Sequence, residues 1–233
     1  MGRPPGVRNQ DYATTRDSIL DDARSLLLTP DGANASMREL SRAAKVSTPT
    51  LRHYFPTREE LVAAVLARDH AGALPHLHHI AAGELPPLRS SLLEVLGFML
   101  RGFVEFGVLD LHVLGLRSGL KHAGLGPVYL SEVLEPSLVA LEARLERHAA
   151  RGELRLDQPR VAALQLLAPL LLAVLHQHEL GGTRCRPLAL DEFLPAHVDG
   201  FIRAWTPTPK PAEAGESASA KRAPAARARA RSK

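Results

Sequence analysis

A single cysteine, Cys185, and an aromatic content of only 4% set the first limits on this 233-residue chain. One cysteine excludes an intrachain disulfide and a cysteine-based zinc site. With so few rings, Leu, Ala and Val must do most of the packing, and an apolar fraction of 45% is enough for a core. Such a composition favours helices over sheets, and no useful period-two alternation is present. Glycine-rich phosphate loops, nucleophile elbows and metalloprotease motifs are missing too, so neither an enzyme nor a cofactor is expected. The first residues lack the apolar segment of a signal peptide. The longest apolar run, Val161–Leu175, is interrupted by Gln165 and Pro169 and falls short of the roughly 20 residues that span a bilayer. A core or interface helix, no membrane contact and a cytoplasmic location are expected.

Charge is unevenly placed. The formal net charge is +4, yet residues 206–233 hold seven Lys/Arg against two Asp/Glu, leaving the first 205 residues at −1. The basic character belongs to a Pro/Ala/Ser-rich end that cannot bury enough surface to order itself, so 206–233 reads as a disordered basic tail. Net charge therefore says little about what the body binds. Residues 1–13 lack periodicity and read as a flexible basic arm, with Arg3 and Arg8 suited to a minor groove.

Helical periodicity begins near Thr15 and runs to Leu28, with Ile19, Leu20, Ala23, Leu26 and Leu27 on one face; Thr14 with Asp17 suggests its cap. The segment TPDGANA reads as a loop. Then Ser36 and Glu39 are spaced as a capping box, and Met37, Leu40, Ala43 and Ala44 form a narrow inward stripe. Lys45 and Val46 make a turn, and Ser47 caps the next helix, in which Pro49 occupies the first turn. Pro56 stops that helix; Thr57 with Glu60 opens a fourth. Two short helices joined so tightly, with small Ser41 and Ala44 where they cross, fit a helix-turn-helix. A plain helical hairpin is the alternative.

Gly/Pro-punctuated, His-rich sequence from Arg68 to Pro87 reads as the end of the fourth helix and a connection. Five further helices follow, over about 88–106, 109–122, 128–151, 159–180 and 190–205, with Pro136 and Pro169 expected to kink two of them and Asp191 placed to cap the last. His76, His78, His79, His176, His178 and Glu179 lack regular metal-ligand spacing and read as surface polar groups, so no metal is expected.

The pieces ILDDARSLL, SMRELSRAAKVS, TPTLRHYF and TREELVAAVL together resemble the DNA-binding domain of the TetR/AcrR family of bacterial transcription regulators. The resemblance spans Ile19–Leu66. It implies an all-α fold: an N-terminal three-helix domain with a helix-turn-helix over 14–67, then a helical bundle over 68–205 for ligand binding and dimerisation. Two departures stand out. The family usually has Gly at the position of Lys45, where a left-handed backbone is common, and often Tyr at the position of Arg52.

On this reading the DNA-binding residues are Arg38, Ser47, Thr48, Pro49, Thr50, Arg52, His53, Tyr54 and Arg58. Hydroxyls of Thr48 and Thr50 suit base or phosphate oxygens, Pro49 a thymine methyl, and Arg52 a guanine or phosphate; His53, Tyr54 and Arg58 match phosphate-clamping positions. One such helix reads too few base pairs alone, so a homodimer through the last two helices on a pseudopalindromic operator is expected. The resemblance also implies release by an unknown small-molecule effector, with Phe98, Met99, Phe103, Phe106, Arg117, Tyr129 and His176 as candidate pocket residues, and repression in a cytoplasmic, nucleoid-associated protein. A non-specific architectural DNA-binding protein using arm and tail is the alternative.

Overall fold

The computed structural model describes residues 5–206, which are helical with no strand. Residues 1–4 and 207–233, and with them Arg3 and nearly all of the expected basic tail, lie outside the described residues, as does the Arg8 side chain.

Helix α1 spans Pro5–Leu27 and so starts well before the expected Thr15. Much of the arm predicted over 1–13 is therefore helix. Tyr12 gains a tertiary partner in this segment, its ring centroid lying 4.6 Å from that of Tyr54. Thr14 and Thr15 are not caps: their hydroxyls donate to the carbonyls of Gln10 and Asp11, four residues back, at 2.9 and 2.8 Å. Ile19, Leu20, Ala23 and Leu27 are buried as the periodicity requires.

After α1 a 3-10 turn at Gly32–Asn34 replaces the expected loop. A Cβ on Gly32 would lie 1.7 Å from the Leu26 carbonyl oxygen, so only glycine allows this approach. Helices α2 (Met37–Ala43) and α3 (Thr48–Tyr54) follow. The Ser36–Glu39 capping box is complete, Ser47 accepts from the Thr50 N–H at 3.1 Å, and Thr57 accepts from the Glu60 N–H at 3.1 Å. Between α2 and α3, Lys45 adopts φ 53° and is the sole non-glycine residue with positive φ among those described. This is the left-handed turn that the Gly-to-Lys departure puts at risk.

Helix α4 is a single element from Arg58 to Ala82. The boundary expected at 67/68 falls inside it, because Gly72 and Pro75 interrupt the pattern without breaking the helix. Its first half packs in the N-terminal core, and Arg24–Asp69 at 2.8 Å and Arg68–Asp21 at 3.0 Å tie it to α1. Its far end lies against α8.

Helices α5 (Leu88–Glu105), α6 (Val108–Lys121) and α7 (Leu125–Tyr129) lead through a π-helical turn, Leu130–Leu134, into α8 (Glu135–Ala150). That turn sits just ahead of Pro136, which cannot donate to a carbonyl four residues earlier; the wider π turn is the local accommodation. Helix α9 (Pro159–Val174) continues into a second π turn, Leu175–Glu179. A short α10 (Gly182–Cys185) and the last helix, α11 (Leu190–Trp205), complete the chain. Ala189, not Asp191, holds the N-cap of α11; the Asp191 carboxylate accepts from the next residue's N–H.

Two cores result. The larger joins α4, α5, α8, α9 and α11. The smaller belongs to α1–α4 but also takes in Leu111 and Leu114 of α6 and Leu125 and Tyr129 of α7. The N-terminal unit is therefore packed directly onto α6 and α7.

Two arginines of α8 and Arg151 at its C-cap hold the C-terminal end of α4 and the residues just after it. Buried Arg144 donates to the carbonyls of Ile80 and Glu84 and to Ser91 Oγ, Arg147 to those of Ala81 and Gly83, and Arg151 to that of Leu85, all at 2.7–3.0 Å. These carbonyls include ones that a helix terminus leaves unpaired, at the negative end of its dipole. His148 completes the group through Ser91 Oγ at 2.7 Å and the Glu153 carboxylate.

A left-handed residue without glycine costs about 1–2 kcal/mol. Lys45→Gly is thus expected to leave thermal stability unchanged or raise it by up to about 1 kcal/mol, whereas Lys45→Val, β-branched at positive φ, lowers it by roughly 1–3 kcal/mol. Chemical denaturation of the two variants checks the ordering; equal stability of both would contradict it.

Candidate nucleic-acid interface

Where α2 and α3 cross, the side chains are small and hydrogen-bonded. Ser41 is buried, and its hydroxyl lies 2.9 Å from that of Thr48. Leu40 and Ala44 of the first helix meet Leu51 and Phe55 of the second in the smaller core. This fixes which face of α3 turns outward. Pro49, Thr50, Arg52 and His53 are exposed, as are the cap Ser47 and Arg38 on α2; Tyr54 is half-buried.

The expected contact residues are not equivalent. The Thr48 hydroxyl is committed to Ser41 and helps hold the crossing. Thr50 Oγ1 sits 2.7 Å from Ser47 Oγ, but a hydroxyl has one donor and two acceptor sites, so the pair retains capacity for an outside partner. Among the described residues Arg52 and Arg38 have no side-chain hydrogen bond or ion pair. Arg58 is turned inward: its Nε donates to the Ala35 carbonyl at 3.0 Å and an Nη to that of Ala33. It fastens the start of α4 to the 3-10 turn, a role that sequence position alone does not reveal.

Tyr12 is the contributor that the sequence reading missed. Its ring meets Tyr54 and lies 6.0 Å edge-on from His53, which is itself 5.2 Å from Tyr54. Beneath them Arg16 sits 5.0 Å over the Phe55 ring. The N-terminal half of α1 thus buttresses the C-terminal half of α3.

The seven residues expected to line one pocket do not converge. Phe103 of α5 and Tyr129 of α7 meet around His112, at centroid distances of 5.4 and 5.8 Å. Met99 lies in the larger core, and Phe98 packs on His76 and His79 beside a cavity of about 70 Å³ near Glu94 and Arg101. Phe106 is 73% exposed, because α5 ends just before it and Gly107 turns the chain away. Arg117 is exposed, points to the N-terminal unit and donates to the Pro30 carbonyl at 3.1 Å. His176 lies in the second π turn, bonded to the Gln177 amide. Helical spacing placed these residues on inward faces without saying which interior each face meets. Among the described residues no cluster of His, Cys, Asp and Glu could hold a metal ion.

The sequence pattern of the tetR family of bacterial regulatory proteins matches residues 19–65, and that of the C-terminal domain of AefR-like transcriptional repressors matches residues 90–205. The chain belongs to the tetR family. The HTH-type transcriptional regulator TcmR of Streptomyces glaucescens is 27% identical over 151 residues; the match covers 64% of this chain and 65% of TcmR, so the chain spans just under two thirds of that relative. Among solved structures, Salmonella enterica GusR superposes with a TM-score of 0.63 at 24% identity, covering 82% of this chain and 96% of its own. Reduced NemR of E. coli gives 0.64 at 22%, covering 81% and 97%. At these identities the superpositions speak for the fold, which is all-helical over the described residues.

In this tetR-family chain the most perturbed titratable group near the middle of the molecule is His112, which sequence reading also missed as a lone histidine on an apolar face. Its Nδ1 lies 2.9 Å from the Tyr129 hydroxyl. Burial holds its pKa down to about 4 and pushes the Tyr129 phenol up to about 12. Gly115 makes room for the tyrosine: a Cβ there would fall 2.1 Å from its ring.

An unfolded histidine titrates near 6.5. Between that value and about 4, the unfolded chain carries the extra proton, so stability falls as pH falls through this window and is constant above it. The full contribution is at most roughly 3 kcal/mol. Thermal unfolding from pH 7 to pH 4 is expected to show a shallower loss for His112→Asn than for the wild type, and an identical loss would contradict the assignment.

Proposed function

We propose that this protein is a homodimeric repressor that reads a pseudopalindromic operator near its own gene through α3 and leaves it when a small-molecule effector binds. The observation that carries the reading is the outward face of α3, where Pro49, Thr50, Arg52 and His53 are exposed on a helix whose opposite face is fixed by Ser41, Leu51 and Phe55. The exposed side chains supply hydroxyl, cationic and apolar groups of the kind that read base edges in a major groove. Arg38 and the Ser47–Thr50 pair flank them for phosphate contact. Repression follows the AefR-like repressor pattern matched by the C-terminal region. Such a protein works in the cytoplasm.

Dimerisation is supported by α9 and α11. The continuous helix Pro159–Glu179 is 21 residues long and, by length and composition, apolar enough to cross a membrane. One side packs against α5, α8 and α11, but only 39% of its apolar window is buried in the single chain. Val161, Leu164 and Leu172 stay exposed on the other side, with Phe193 and Ile202 of α11 only partly covered. A helix apolar all round is normally covered all round, and a second copy covers it here. Leu164→Glu combined with Leu172→Glu is expected to yield monomers in sedimentation experiments and to abolish operator binding; an unchanged dimer would exclude this face.

The effector space is proposed around Phe103, His112 and Tyr129, next to the π turn at Leu130–Leu134. Small-molecule sites run to roughly 300–1,000 Å³, so effector entry requires that turn to shift and open the interior. For DNA reading, Arg52→Ala is expected to weaken binding to the operator by roughly 1–3 kcal/mol, while binding to random DNA changes far less. Fluorescence anisotropy at one fixed salt concentration measures both. Equal losses on the two DNAs, or binding abolished by removal of 207–233 alone, would favour a non-specific architectural role.

A further inference from the structure

A cavity of about 150 Å³ lies between the N-terminal unit and α6, lined by Arg58 and Glu59 at the start of α4, Arg117, Ser118 and Lys121 on α6, and His122 just beyond. It is far larger than the roughly 10–15 Å³ that admits one water. Three permanent cations face one carboxylate, and that carboxylate lies 3.6 Å from the His122 ring. The local charge is therefore positive.

Ser118 gives the second, independent observation. It is only 4% exposed and its hydroxyl has no hydrogen-bond partner. A helical serine ordinarily bonds back to a carbonyl in the preceding turn, and an unpaired buried hydroxyl is unfavourable. Two of the cations are already held in place from the opposite side. Arg58 uses Nε and one Nη on the carbonyls of Ala35 and Ala33, and Arg117 uses one Nη on that of Pro30. A guanidinium has five N–H donors, so both retain donors. Lys121 is exposed and has no ion pair among the described residues.

We propose that this cavity binds a small oxyanion of the phosphate class, with Lys121, Arg117 and Arg58 as its cationic partners and the Ser118 hydroxyl, covered at the cavity wall, turning to it as a neutral donor. Fixed donors around a partly enclosed space are what recognition of such a group requires. The bound group would join the 3-10 turn and the head of α4 to α6, so its occupancy would set how firmly the DNA-reading unit is held to the bundle. It is distinct from the effector space around His112 and does not depend on it. The phosphate can come from a free small molecule or from the DNA backbone.

Inorganic phosphate titrated into the full-length protein without DNA, against potassium chloride of equal ionic strength, tests the site. Calorimetry is expected to show saturable binding of one phosphate per chain, and thermal unfolding a phosphate-dependent rise. Lys121→Ala and Ser118→Ala should each weaken binding at least tenfold. Without phosphate, Ser118→Ala should be no less stable than the wild type, since it removes an unpaired buried hydroxyl; this separates loss of binding from loss of folding. In a second arm, the salt dependence of DNA binding is compared for wild type and Lys121→Ala. No phosphate binding together with a slope lowered by about one phosphate contact places the DNA backbone in the same site. No phosphate binding with an unchanged slope overturns the proposal, as does phosphate binding that both variants retain in full.

Discussion

The close crossing of α2 and α3 is the constraint on which the DNA-reading unit depends. Two seven-residue helices cannot hold themselves together in water. What fixes them is a buried serine meeting a threonine hydroxyl, a left-handed lysine turning the chain within a few residues, and two side-chain caps supplying the backbone bonds that such short helices lack. A larger side chain at Ser41 would push α3 outward and rotate Arg52 and Thr50 with it. The aromatic group of Tyr12, His53 and Tyr54 closes the other end of α3 against α1.

From that crossing the connection to the bundle runs through α4. Both ends of this helix are held by arginines bonded to backbone carbonyls. Arg58, at its head, grips the 3-10 turn, while Arg144 and Arg147 of α8 grip its C-terminal carbonyls. At 25 residues, α4 is long enough to belong to both units. Because the smaller core includes residues of α6 and α7, a shift at the π turn after α7 reaches that core directly as well as through α4. Interfaces built this way tend to have discrete arrangements, which the proposed release by an effector requires.

The local structure of the N-terminal unit was legible in the sequence, and for physical reasons. Capping boxes and a tight turn are local devices, each written in residues three or four apart, so Ser36, Glu39, Ser47 and Lys45 could be read directly. Tyr12 could not, because its partners, His53 and Tyr54, lie on another helix far along the chain and the apolar periodicity of α1 starts only later. The length of α4 was hidden by Gly72, Pro75 and a run of histidines, none of which outweighs tertiary packing. Candidate pocket residues failed for a different reason. Burial periodicity says that Met99, Phe103 and Tyr129 turn inward, but Phe106 and Arg117 show that a position near a helix end can point to solvent or to the other unit. Arg58 and Arg144 were illegible as structural ties because their partners are backbone carbonyls, which carry no sequence signature.

Selection of bound sequences from a random DNA pool by the full-length protein tests the central claim most directly. Two α3 helices presented by a two-fold dimer should recover an inverted repeat with half-sites centred about 10–10.5 base pairs, one helical turn, apart. Recovery of a single half-site, or of no shared sequence at all, would contradict the account.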